Sequence, residues 1–395
     1  MKKGRMFVVV IDSLGVGYDE FSKDYGDEGA NTLKHIFSAT KGVYKIPNLA
    51  KLGMCNLVDV EGNPIVNKQE AYTVVLKESS VGKDTMTGHW EMMGVLTTKP
   101  AVSFTDTGFP KELIDELEAK TGYKYIGNKS ASGTEIIKEL GERQLKTKEL
   151  IVYTSADSVL QIAAHEELYG LDEIYRICKI AREITMKPEW MVGRIIARPY
   201  VGTNASNFER TPNRHDYALD PSDVTTLDKL KEAGYDVISI GKINDIFNTK
   251  GITRAIKSKS SVEGMKQTID VAKEDFNGIC FTNLVDFDAK WGHRRNPEGY
   301  AKELVDFDSL LPDLLNNLRD DDILMITADH GNDPTWTGSD HTREMVPLIV
   351  YSKSFKEPKD LGIKQSFACI GATVADKFDV SKPEKIGESL LNLFK

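Results

Sequence analysis

The stretch Asp322-Ile-Leu-Met-Ile-Thr-Ala-Asp-His-Gly-Asn-Asp333 decides how the rest of the chain is read. Its apolar run, Ile323 to Ile326, has the length of a strand and stops abruptly at Thr327, Ala328, Asp329, His330 and Gly331. An acid and an imidazole therefore sit where a buried strand empties into a loop, the position at which α/β folds place their ligands. Two adjacent ligand-type side chains on a turn can converge on one metal ion. His341 follows a loop rich in Gly, Ser and Asp that can return it to the same point. Taken alone, Asp-His-Gly also suits a plain strand-ending turn, so its meaning depends on what surrounds it.

The same arrangement recurs on both sides. The apolar run Gly278 to Val285 empties into Asp286-Phe-Asp288-Ala-Lys-Trp-Gly-His293-Arg-Arg. A long amphipathic helix, Pro297 to Leu318, separates it from the Asp329 strand, and Met345 to Tyr351 reads as a later strand. A closing helix is expected over Lys382 to Phe394. Upstream, a helix from Asp223 to Ala233, the strand Tyr235 to Ile240 and a helix from Val262 to Glu274 continue the βα rhythm. At the amino end, Met6-Phe-Val-Val-Val-Ile11 is a strand buried on both faces, and it stops at Asp12 before a glycine-bearing turn. Helical pieces span residues 30 to 53, the second opened by Pro47, and a polar, hairpin-like region follows.

Gly82-Lys-Asp-Thr85-Met-Thr-Gly-His-Trp-Glu reads as a loop entering a helix, with Thr85 near the helix amino end. Unpaired backbone N–H groups and the helix dipole favour a phosphate there, although a hydroxyl in that position also serves as an N-cap. Between residues 100 and 218 the pattern changes. The helical stretches Lys111 to Thr121 and Gly170 to Glu183 alternate with the strand-like runs Leu150 to Thr154 and Val192 to Arg198. This predicts an α+β domain inserted into an α/β core whose central sheet is mostly parallel. The core then comprises residues 1–99 and 219–395, and the insert residues 100–218. The insert carries Arg194, Arg198, Arg210 and Arg214, whose guanidinium forks suit phosphate oxygens.

With 395 residues the chain is long enough for one large and one smaller domain. A net charge of -9 disfavours a nucleic-acid binder, which needs an excess of clustered Lys and Arg. No apolar stretch approaches the length of a membrane span and no export signal is read, so the cytoplasm is the expected compartment. No partner protein is implied. The four cysteines lack CxxC spacing and read as core thiols.

Asp12, Asp288, His293, Asp329, His330 and His341 are thus six ligand-capable residues placed just past strands or in adjoining loops. Parallel strands deliver their carboxyl ends to one sheet edge, so these residues can share one cleft. Mixed carboxylate and imidazole ligation without sulfur suits Mn²⁺ or Zn²⁺. Six ligands exceed one tetrahedral site, and two ions clamping an attacking and a leaving oxygen point to phosphoryl transfer with Thr85 as the hydroxyl.

The motifs around Asp12, Lys83-Asp-Thr-Met-Thr-Gly-His-Trp-Glu, Asp286-Phe-Asp288 with Gly292-His293-Arg294, Thr327-Ala-Asp-His-Gly-Asn-Asp333 and Asp340-His341-Thr342-Arg343 together resemble the phosphopentomutases of the alkaline phosphatase superfamily. The resemblance runs essentially end to end. It implies an alkaline-phosphatase-like core and an inserted cap. It also implies one Mn²⁺ on Asp288, His293 and His341, a second on Asp12, Asp329 and His330, and phosphothreonine at Thr85. The implied reaction interconverts ribose 1-phosphate and ribose 5-phosphate, and their 2-deoxy counterparts, after priming by glucose 1,6-bisphosphate or a similar sugar bisphosphate. Asp157, Arg194 and Arg210 would hold the pentose and its distal phosphate. Competing readings are a metal-dependent phosphatase or phosphodiesterase on the same two-metal edge, a cofactor-independent phosphoglycerate mutase, and a non-catalytic metal-stabilised binding protein. The phosphoglycerate mutases use Ser where this chain has Thr85.

Overall fold

The computed structural model describes residues 4–99, 101–155, 158–382 and 386–395. The chain divides into two compact units, Met1–Thr98 with Asp220–Lys395, and Lys99–Leu219.

The larger unit is built on an eight-stranded sheet. In spatial order its strands are Arg254–Ile256, Asp236–Ile240, Gly278–Leu284, Arg5–Ile11, Ile323–Thr327, Val346–Tyr351, Tyr72–Lys77 and Asp360–Gln365. The first five run parallel, as unbroken apolar runs buried on both faces require. Val346–Tyr351 is antiparallel to both neighbours. Register explains the site. Ile11 pairs with Leu284 and Val10 with Thr327, so the strands leading to Asp12, Asp288 and Asp329 end side by side. The antiparallel strand begins at that same edge, with Leu348 opposite Thr327, and so brings the segment after His341 to it. At the other end of the sheet Arg5, fully buried, forks onto Asp322 at 2.5 and 3.1 Å. Helices Pro297–Asn317 and Ser261–Lys273 pack against each other beside the sheet.

The smaller unit has its own sheet, with strands Tyr125–Ser130, Leu150–Thr154, Val159–His165, Arg194–Val201 and Glu209–Arg210 in spatial order, and His215–Ala218 also paired to Arg194–Val201. Leu113, Leu117, Ile174 and Ile177 from the helices Lys111–Thr121 and Leu171–Ile184 fill one core with Leu160 and Ile195. Ile136 and Ile137 of the helix Gly133–Thr147 fill a second with Tyr153 and Tyr200.

Two expectations are corrected. The helix expected over Lys382 to Phe394 is replaced, among the described residues, by irregular chain and one tight turn at Leu391–Leu393. The chain there passes so close to Ala368 that Gly387, at φ +88°, has no room for a Cβ. The helix of this region is Cys369–Phe378 instead. The hairpin-like region before Glu78 supplies a single strand, Tyr72–Lys77, whose partners come from residues 346–351 and 360–365 rather than from a local turn.

Candidate metal centre

Asp12, Asp329 and His330 are buried side by side at the carboxyl edge of the larger unit's sheet, with ligand atoms within 4.8 Å of one another. Nε2 of His330 lies 3.5 Å from Asp12 Oδ1 and 3.4 Å from Asp329 Oδ2. Each remaining atom is already committed. Asn283 Nδ2 donates to Asp12 Oδ2 at 2.8 Å, and the Ser13 amide donates to Asp329 Oδ1 at 3.0 Å. His330 Nδ1 faces the Gly331 carbonyl at 3.0 Å. What is left over is Asp12 Oδ1, buried without a hydrogen-bond partner, and Asp329 Oδ2, which His89 Nδ1 approaches only at 3.2 Å. These two carboxylate oxygens and His330 Nε2, with the Thr85 hydroxyl beside it at 3.2 Å, converge as a donor set that fits a cation.

The second cluster is Asp288, His293 and His341. Asp288 and His293 are five residues apart, a spacing an α-helix would splay. Residues Phe287–Gly292 instead form a π-helical turn, closed by the His293 amide on the Asp288 carbonyl at 3.0 Å, which stacks the two side chains. His293 Nδ1 faces the Ser339 carbonyl at 2.7 Å and His341 Nδ1 faces the Lys83 carbonyl at 2.8 Å. Both rings thus present Nε2 inward, 3.0 Å from each other and 3.1 and 3.4 Å from Asp288 oxygens. In neutral rings with Nδ1–H spent on carbonyls, those two lone pairs repel unless a proton or metal ion lies between them. Asn332 Nδ2 donates to Asp288 Oδ1 at 2.7 Å. The clusters adjoin, because the His330 and His341 rings stack with centroids 4.0 Å apart.

The electrostatics express the same excess of negative charge. Burial pushes the Asp12 carboxyl well above its ordinary value, and Asp329 and Asp288 push it further. Burial would lower His330, but Asp329, Asp12 and Asp288 outweigh it and lift the imidazole to about 9. Burial would raise Asp288, yet His341 and His293 hold it well below the carboxylate range. Protons on Asp12 and His330 relieve what a divalent cation would relieve better.

Thr85 opens the helix Thr85–Met92. The N-cap is Asp84, whose side chain accepts from the Thr87 amide at 3.1 Å, so the Thr85 hydroxyl is not consumed in capping. It lies 3.2 Å from His330 Nε2 instead. The helix can come this close because residue 88 is glycine, where a Cβ would stand 2.1 Å from the Asp329 carbonyl oxygen.

Of the insert residues singled out from sequence, Arg194 is half-exposed with a guanidinium nitrogen 4.0 Å from Asp216 Oδ2, and Arg210 is exposed on the strand Glu209–Arg210. Arg214 forks onto Asp216, and Arg198 donates to Gln161 at 3.0 Å. Asp157 lies outside the described residues. Sequence reasoning missed Asn283, Asn332 and His89. His89, fully buried, has Nδ1 2.8 Å from the Thr85 carbonyl and 3.2 Å from Asp329 Oδ2. The available signal was polarity at positions where a buried run or helix face calls for apolar residues.

The Metalloenzyme superfamily matches the chain over residues 4–382. The chain is 59% identical over 393 residues to a phosphopentomutase of Clostridium botulinum, covering 99% of both chains. It is 59% identical over 394 residues to a phosphopentomutase of Clostridium beijerinckii, again with 99% of each covered. Among solved structures, phosphoglycerate mutase of Leishmania mexicana superposes with a TM-score of 0.52 at 12% identity, covering 98% of this chain and 97% of the other. A protein of Pyrococcus horikoshii gives 0.51 at 13% identity, covering 98% of this chain and all of the other. These two likenesses establish an alkaline-phosphatase-like α/β fold.

Proposed function

This chain belongs to the phosphopentomutase family of the metalloenzyme superfamily, isomerases that act by intramolecular phosphotransfer, and we propose that it interconverts (deoxy)ribose 1-phosphate and (deoxy)ribose 5-phosphate through a phosphothreonine at Thr85. The observation that supports this most directly is the Thr85 hydroxyl, free of capping and 3.2 Å from His330, beside two ligand clusters. Asp12, Asp329 and His330 would hold one divalent cation, and Asp288, His293 and His341 another, with Mn²⁺ the ion their oxygen and nitrogen donors suit. Bound there, the ions would supply the positive charge that offsets the phosphoryl oxygens and acidifies the Thr85 hydroxyl.

In the forward half-reaction the phosphoryl group leaves Thr85 Oγ1 for a hydroxyl of the pentose phosphate. The P–O bond to Thr85 breaks, a P–O bond to the sugar forms, and the sugar's proton replaces phosphorus on the threonine. The resulting pentose bisphosphate turns end for end, and Thr85 Oγ1 takes the other phosphoryl group. Glucose 1,6-bisphosphate, or a similar bisphosphate, primes Thr85 in the same way. Within the insert we assign Arg194 and Arg210, together with Asp157, to the sugar and its non-reacting phosphate, since guanidinium forks match phosphate oxygens. Among the described residues no helix is long and apolar enough to cross a membrane.

The test is intact mass and peptide mapping after incubation with Mn²⁺ and glucose 1,6-bisphosphate, then addition of ribose 5-phosphate. The expected result is a phosphate on Thr85 that survives in water and passes to the sugar as ribose 1-phosphate appears. A label that leaves as free phosphate without a sugar acceptor would replace the mutase by a hydrolase. A Thr85 that is never labelled would remove it from the reaction.

A further inference from the structure

The Asp288 cluster takes its three side chains from two segments and its hydrogen-bond partner Asn332 from a third, and one side chain that ligates nothing touches all three. Arg295 follows the π-helical turn by three residues and adopts a left-handed backbone, φ 52°, unusual for a residue with a long side chain. That conformation turns its guanidinium back into the site. NH1 donates to the Gly292 carbonyl at 3.0 Å, on the segment that carries Asp288 and His293. NH1 also reaches Asn332 Oδ1 at 2.5 Å and the Asp333 carbonyl at 3.2 Å, on the segment after His330. Nε donates to the Gly338 carbonyl at 2.5 Å and NH2 to the Asp340 carbonyl at 2.8 Å, on the loop that leads into His341.

All but the Asp333 bond end next to a ligand or to a residue that orients one. Asn332, oriented through its oxygen, gives its amide N–H to Asp288 Oδ1 at 2.7 Å. Gly338 and Asp340 flank Ser339, whose carbonyl faces His293 Nδ1 at 2.7 Å and so selects the tautomer whose Nε2 lone pair faces Asp288 and His341. Asp340 also precedes His341. The loop between Trp336 and Asp340 has no regular structure, and at its base the chain is tied by a single bridge between Gly331 and Thr342. The Asp12 cluster is oriented by another set of donors and acceptors, Asn283, the Ser13 amide and the Gly331 carbonyl.

We propose that Arg295 is a positioning residue for the second ion: its fork holds Asp288, His293 and His341 as one triad and leaves the Asp12 triad independent. The planar fork matters, because its divergent N–H groups reach five acceptors on three segments at once, which a lysine ammonium cannot do. The inference rests on the two-ion reading proposed above.

The experiment strips the full-length protein with a chelator, titrates it with Mn²⁺ and reads free Mn²⁺ by electron paramagnetic resonance, for wild type, Arg295→Ala and Arg295→Lys. The expected result is two ions in the wild type. In Arg295→Ala one ion should stay as tight as before, while the other weakens by about 10- to 100-fold, the usual cost of losing an outer-shell partner. Arg295→Lys should fall between them, and ethylguanidinium added to Arg295→Ala should restore the second ion. Two ions of unchanged affinity in Arg295→Ala would overturn the inference, as would equal weakening of both, which marks a general loss of structure. Should Arg295→Ala fail to melt cooperatively, Arg295→Lys decides alone, and unchanged binding in it overturns the proposal. A wild type that takes up fewer than two ions removes the two-ion reading itself, an outcome distinct from failure of Arg295.

Discussion

Thr85 Oγ1 lies 3.2 Å from His330 Nε2, the nitrogen that also faces the Asp12 and Asp329 carboxylates. A hydroxyl so placed shares its neighbours with the proposed ion site and would be acidified by a cation bound there. Thr85→Ala should reduce mutase turnover by about 10⁴-fold or more, as removal of a covalent nucleophile does. Mn²⁺ binding should change little, because both ligand triads remain. Thr85→Ser, which keeps the hydroxyl, should retain measurable turnover and a phosphorylated intermediate detectable by mass. Coupled assays of ribose 1-phosphate formation separate these outcomes, and full activity in Thr85→Ala would exclude a phosphothreonine route.

Asp12, Asp288 and Asp329 crowd their charge at one sheet edge, and Asp12 bears the largest burden: burial and the other two carboxylates outweigh His330 and Asn283 there, whereas His330, His89 and the Ser13 amide outweigh burial at Asp329. Asp12→Asn should therefore make the metal-free protein more stable than metal-free wild type, since an amide can still meet Asn283 without adding charge. The order should reverse with Mn²⁺. A site filled to about 100 times its Kd adds about 2.7 kcal/mol to the wild type and less to the variant. Thermal melts with chelator and with Mn²⁺ give the four values. A variant that melts below wild type in both conditions would mean that Asp12 is held by contacts rather than poised against repulsion.

How much of this edge was legible beforehand depended on the kind of relationship involved. Asp12, Asp288 and Asp329 each end an apolar run, and the parallel register of Ile11 with Leu284 and Val10 with Thr327 carries them together, so a rule about strand ends sufficed to group them. Asn283, Asn332 and Arg295 follow no such rule. Their roles exist only because segments 37 to 271 residues apart approach within a hydrogen bond, as with Arg295 on Asn332, Asn332 on Asp288 and Asn283 on Asp12. The false carboxy-terminal helix shows the converse. Leu390 has the spacing of a helical apolar face, but the chain at Gly387 runs against Ala368, and Leu390 is buried from irregular backbone.

His89 joins the Thr85 helix to the proposed ligand Asp329 through Nδ1, 2.8 Å from the Thr85 carbonyl and 3.2 Å from Asp329 Oδ2. His89→Phe keeps an aromatic ring against Phe281, whose centroid is 5.8 Å away, and removes the Nδ1 link together with the longer Nε2 contact to Asn283 Nδ2 at 3.4 Å. Phosphoryl transfer to and from Thr85 should slow by roughly 10- to 100-fold, the scale of outer-shell losses, with little change in KM for the pentose phosphate. Rapid-quench measurement of Thr85 phosphorylation reads the step directly. A rise in KM with an unchanged transfer rate would assign His89 to substrate binding instead.

Glu344 is fully buried and accepts the amides of Gly17 and Thr32 at 3.1 and 2.9 Å and the hydroxyls of Thr32 and Thr342 at 2.6 and 2.7 Å. Those hydroxyls in turn receive the amides of Asn332 and Asp333, so the network fixes the segment that follows His330. Burial raises the Glu344 carboxyl from 4.5 to about 7 despite these donors. The unfolded chain thus releases this proton near 4.5 and the folded chain only near 7, so between those values folding takes up a proton. Stability should fall as pH rises through that window and level off above it, for a total cost of about 3 kcal/mol. Glu344→Gln can offer its oxygen to the two amides and its N–H groups to the two hydroxyls, and it has no charge to bury. Its advantage over wild type should therefore grow from pH 5 to pH 7 and then stay constant, as read by urea unfolding of the larger unit in saturating Mn²⁺ at about one-unit steps. A difference between the two proteins that stays flat across that range would mean that Glu344 is ionised in the fold, its charge fully met by the four donors.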